Sequence, residues 1–130
     1  MLTAFATDDG NQLMTRHFGD ARFYDIYQIS ETETTFKKRI ANTTEHETEV
    51  HADPEKAKGI ARLLHEENVR IVVSRAFGPN IQRIKKKFVC ILMSEGSIED
   101  AIELLQQNFK MAIEEWEKGE ARNYLSLRKK

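Results

Sequence analysis

The chain has 130 residues and a mass of 15.1 kDa, with 40% apolar and 32% charged residues, so one domain with a single core is expected. Its 20 Lys and Arg oppose 21 Asp and Glu. A formal charge of −1 argues against a dedicated nucleic-acid binder while leaving room for a local basic patch. The single cysteine, Cys90, excludes an intramolecular disulfide framework and an all-cysteine metal site. No apolar run approaches the ~20 residues of a membrane span. The opening MLTAFATDDG lacks both a basic lead and a long apolar stretch, so no signal peptide is predicted. A soluble, cytoplasmic protein is expected.

Residues 1–7 mix small apolar and β-branched types and predict a first strand. Asp9-Gly10 is a pair favoured in tight hairpin turns, which makes 12–16 the short returning arm. Residues 22–29 (RFYDIYQI) carry apolar groups on both faces, the mark of a strand inside the sheet. Residues 34–41 follow a polar turn, and Lys37-Lys38-Arg39 suits a charged edge strand. The polar stretch 42–53 has no periodicity and is long for a compact domain.

Asp53 and Pro54 then mark a helix start, and Ala57, Ile60, Ala61 and Leu64 form a buried stripe to about Glu67. Residues 69–73 predict a short strand, Gly78-Pro79 a brief helix through Lys86, and 88–93 (FVCILM) a buried parallel strand. Ser97-Ile98-Glu99-Asp100 fits a capping box. The helix it opens is expected to run unbroken from 98 to about 118, ~30 Å, and to stop at Gly119. Strands followed by helices are expected to be parallel through right-handed crossovers, so the fold class is α/β with a mixed sheet.

Several residues invite chemical readings. His17-Phe18-Gly19 lies in a loop where an imidazole nitrogen can meet a metal and a glycine admits a bulky ligand; the alternative is a plain turn, with Phe18 plugging the sheet edge and His17 solvated. Gly78-Pro79-Asn80 falls at the carboxyl end of a parallel strand, where free N–H groups attract anions; the alternative is a structural turn. Cys90, inside an apolar strand, reads as an inert buried thiol. His46 and His51 sit in the long loop, and His65 on the polar side of the first helix. Asp8 and Asp9 would serve a two-metal nuclease only if further carboxylates converged on them, and the later strand ends offer Ser74-Arg75 and Met93-Ser94 instead. The basic runs 85–87 and 128–130 read as solvated faces.

Taken in order, HFGDARFYDIYQI, VHADPEKAKGIARLL, VRIVVSRAFGPN and SIEDAIELL resemble the dinitrogenase iron–molybdenum cofactor biosynthesis family, over about residues 1–108. The resemblance implies a ribonuclease H-like domain with a five-stranded mixed sheet and a nitrogenase-accessory role. It implies a carrier without enzymatic activity that transiently binds an iron–sulfur or iron–molybdenum cofactor precursor, with no intrinsic cofactor. Carried over by position, His17 becomes the metal ligand, Phe18 and Gly19 shape its loop, and His51, Arg75, Gly78, Pro79 and Asn80 join the cofactor-binding set. Arg16, Arg22 and Arg75 are expected to face an anionic cluster.

Ser74-Arg75 departs from the family, which usually places a glycine there; a bulky Arg75 would narrow or recharge the pocket. The implied partners are cofactor-assembly donors or acceptors, with no nucleic acid or membrane. The extension 109–130, holding the single tryptophan, is a second region, with homodimerisation through it as one option. A competing reading is a metal-free interaction or regulatory domain that keeps the fold without binding a cluster.

Overall fold

The computed structural model describes residues 1–42 and 54–129, with side chains described for 1–42 and 59–129. His46, His51 and the Asp53 cap lie outside the described residues. The chain forms β1 (Leu2–Thr7), β2 (Phe23–Ile29), β3 (Thr34–Ala41), α1 (Pro54–Glu66), β4 (Ile71–Ser74), α2 (Ile81–Ile84), β5 (Val89–Met93), α3 (Ile98–Gln107), α4 (Phe109–Glu117) and β6 (Leu125–Leu127). Short 3-10 turns occupy Phe18–Asp20 and Gly119–Ala121.

One mixed sheet runs in the order β3-β2-β1-β4-β5-β6. The first three strands pair antiparallel, and β1, β4, β5 and β6 pair in parallel. Strand alternation sends consecutive residues to opposite faces. Phe5, Ile71, Val73, Val89 and Ile91 therefore meet α3 and α4 on one face, while Ala4, Tyr24, Ile26, Val72 and Cys90 meet Ile60, Leu64 and Ile84 from α1 and α2 on the other. Because α2 covers one face and α3–α4 the other, while both crossovers step the same way across the sheet, the two have opposite hands. One of them departs from the usual right-handed rule.

Three local expectations differ from the structure. Residues 12–16 are not a returning strand; only isolated bridges, Thr7 with Leu13 and Gln12 with Ser97, mark that segment. The turn ahead of it is instead organised by Asp9, whose Oδ1 accepts from the Asn11 and Gln12 amides, and by Thr7 Oγ1, which accepts from Gly10. The third helix is broken at Asn108 (φ −117°, ψ 22°), whose side chain donates to the Leu104 carbonyl. The sheet has six strands rather than five, because Leu125–Leu127 joins β5.

Residues 109–127 pack on the same sheet as the rest. Phe109, Ala112 and Leu127 belong to the α3–α4 core. Buried Arg122 stacks on Trp116 at 4.1 Å and donates to the Lys86 carbonyl at 2.9 Å. As expected, β3 is a charged edge, with nearly every residue exposed, and Gly119 (φ +61°) ends α4. Among the described residues, no helix is long and apolar enough to cross a membrane.

Candidate functional site at the carboxyl ends of the parallel strands

The β1, β4 and β5 strands end side by side, so the loops that follow them share one end of the sheet. The chain leaves β1 toward β2 and leaves β4 toward β5, in opposite directions across the sheet. That reversal makes the β1–β4 boundary a switch point, where open α/β sheets form ligand crevices.

The loop after β1 brings His17 and Phe18 there, and the loop after β4 brings Phe77 and Gly78. Phe18 stacks on Phe77 with centroids 5.3 Å apart and planes 25° apart. The next pair along meets just as closely: a Cβ on Gly78 would lie 2.5 Å from His17 Nδ1 and 2.8 Å from Cγ. Gly78 has φ +71°, so it supplies both the left-handed backbone and the space under the imidazole. His17 is half-buried rather than solvated.

Other groups fix this loop from below. The Tyr24 hydroxyl donates to the Phe18 carbonyl at 2.6 Å, and the Tyr24 ring tilts against Phe18 at 5.1 Å. Asn42 Nδ2 donates to the carbonyls of Gly19 and Ala21 at 2.9 and 2.8 Å. The loop backbone is thus tied at three carbonyls, while Gly19 itself has open space around its Cα. Sequence reading missed Phe77, Tyr24 and Asn42. An aromatic directly before Gly78-Pro79 was the available signal for Phe77; nothing local marked the other two.

The charged side chains divide differently from expectation. Arg16 does not stand free toward the crevice: its Nη2 donates to both Asp8 oxygens, at 2.9 and 2.8 Å, and to the Asp20 carbonyl. Asp8 also accepts from the Arg22 amide. Asp9, fully exposed, is held below the usual carboxylate range by the amides of Gln12 and Asn11. Both aspartates are thus engaged in holding the local turn and loop.

Arg75 is exposed and sits on the neighbouring junction, where its Nη1 would be 3.5 Å from a Cβ on Gly96, beside Gln12. Pro79 is exposed and Asn80 half-buried at the start of α2. The helix that starts there, α2, is a single turn and so carries little macrodipole.

Donor chemistry at the crevice is sparse. Among the described residues no group of three His, Cys, Asp or Glu is placed to hold a metal ion. Cys90 is buried in β5, and burial pushes its thiol up to about 12, so at neutral pH it is a protonated thiol inside the core. Among the described residues, the crevice presents one imidazole, His17, on an aromatic and glycine shelf. Two broad concavities, of about 910 and 670 Å³, lie away from His17.

Comparison with known proteins agrees with the motif reading. No curated protein matches the chain. Residues 1–108 match the family described as dinitrogenase iron-molybdenum cofactor, and the chain belongs to that family.

Proposed function

We propose that the protein is a non-enzymatic carrier that takes up a preassembled iron–sulfur-based cluster as cargo and passes it to an acceptor during metal-cofactor assembly. Membership of the iron–molybdenum cofactor family supports a role in handling that cofactor or its precursors. The observation that carries the reading further is the His17 imidazole laid over Gly78 at the switch-point crevice, backed by the Phe18–Phe77 stack. A prebuilt cluster brings its own iron and sulfide, so the protein need supply only a ligand or two and a shaped shelf. Sparse ligation also favours release, which transfer to another protein requires.

The competing reading, a metal-free interaction domain, draws on one observation. Arg16 is already paired with Asp8, which leaves the shelf less cationic than an anionic cluster would favour. Anaerobic reconstitution separates the two. Wild-type protein should gain charge-transfer absorption and stoichiometric iron, and His17→Ala should lose most of both while keeping its far-UV circular dichroism. A wild-type protein that takes up no iron supports the metal-free domain. Full uptake by His17→Ala would remove His17 as ligand.

A further inference from the structure

The concavity of about 670 Å³ lies on the α1–α2 face, at the amino ends of the parallel strands, opposite the His17 crevice. The last two turns of α1 contribute Arg62 and His65, three residues apart and so on one helical face. α2 and the turn before β5 contribute Arg83, Lys86 and Lys87. Lys86 and Lys87, from the run read from sequence as a solvated face, thus line one wall of a cavity whose other wall carries Arg62, His65 and Glu66. Ala61 and Ile84 supply an apolar floor.

Charge is unevenly balanced there. Four permanent cations and one histidine face two carboxylates, Glu66 and Glu120. Among the described residues, none of the four cations takes part in an ion pair. All four are exposed, so water tolerates their mutual repulsion, but an anion seated between them would relieve it. Net of the two glutamates the lining carries two positive charges, which a multiply charged anion matches better than a singly charged one, while the carbonyl end of α1 subtracts from the attraction.

Two arginine forks on opposing walls suit the tetrahedral oxygens of phosphate, and the volume falls in the range of small-molecule sites. The C-terminal extension has a part in this construction. Arg122, held against Trp116, fixes the Lys86 carbonyl, and Glu120 reaches the rim.

We propose that this cavity binds a small, multiply charged phosphate compound, at a site distinct from the His17 crevice and independent of whether a cluster binds there. Titration calorimetry of the full chain with inorganic pyrophosphate and with ADP, at about 150 mM salt, tests it. Saturable single-site binding is expected for both probes, with uncharged adenosine at least about tenfold weaker. Arg62→Ala and Arg83→Ala should each weaken pyrophosphate binding about tenfold, the loss of a charge-assisted contact, while Lys110→Ala on the far face should not.

Backbone amide shifts confined to residues 62–66 and 83–87 on adding pyrophosphate to wild-type protein give a readout that needs no variant. The proposal is overturned by absent saturation with either probe, by wild-type affinity in both arginine variants, or by amide shifts located elsewhere. Displacement of pyrophosphate by a single-stranded oligonucleotide at equal phosphate concentration would also overturn it, in favour of a nucleic-acid surface.

Discussion

The contact between His17 and Gly78 makes a quantitative prediction. Gly78→Ala forces an L side chain into φ +71°, which costs ~1–2 kcal/mol. It also drives a Cβ to within 2.5–2.8 Å of three His17 ring atoms, so the ring or the loop must move, at a further cost of ~1–3 kcal/mol. Gly119 supplies an internal control: its φ is +61°, but nothing lies within 4 Å of a built Cβ. Gly119→Ala should therefore show the backbone cost alone. At roughly 3–5 °C per kcal/mol for a domain of this size, the two glycine variants should differ by several degrees in Tm.

Placing both glycine variants in a His17→Ala background completes a double-mutant cycle. Removing the ring should recover most of the excess cost at Gly78 and none of the cost at Gly119. Equal Tm losses for the two glycines in the wild-type background would refute the reasoning. So would a Gly78→Ala penalty that persists undiminished without the His17 ring.

Asp25 is 2% exposed and accepts from Arg39 Nε and Nη2 at 2.8 and 3.2 Å; Asp25→Ala should lower the urea-unfolding free energy by about 1–3 kcal/mol, with Arg39 relaxing into water. Native Cys90 should resist iodoacetamide at pH 8 and react once urea unfolds the chain. Because burial raises the folded thiol from 9.0 to about 12, the unfolded chain gives up its proton first. Stability from this group is then full below pH 9 and lost as pH rises toward 12; unchanged urea midpoints in Cys90→Ala and wild type across that window would contradict the shift. Trp116 lies between Arg70 and Arg122, so its fluorescence reports docking of the extension. Fluorescence and far-UV circular dichroism should give one coincident unfolding transition, whereas two separated transitions would show that residues 109–127 fold apart from the sheet.

Much of the architecture was readable because it depends on local pattern. The Ile60–Leu64 spacing marks the buried stripe of α1, and 88–93 reads as a buried strand because both its faces meet helices. Ser97 caps α3 by accepting from the Asp100 amide, as its motif implied. Four motifs in fixed order pointed to the family, and His17-Phe18-Gly19 among them marked one half of the crevice. The break at Asn108 was not readable, since α3 and α4 bury the same apolar face against the same core and the hydrophobic period runs through the joint.

Residues separated by long stretches of chain were decided only by the tertiary structure. Nothing in a periodicity links His17 to Gly78 or Phe18 to Phe77, because face and period say which side of an element is buried and not which distant residue covers it. The same limit hid β6, a three-residue strand whose partner lies more than thirty positions back, and the gathering of Arg62, Arg83 and Lys86-Lys87 around one cavity. The near-zero net charge and single cysteine set the terms for what this chain can bind. Packing between the strand ends then determined that the imidazole and the cations occupy opposite ends of one sheet.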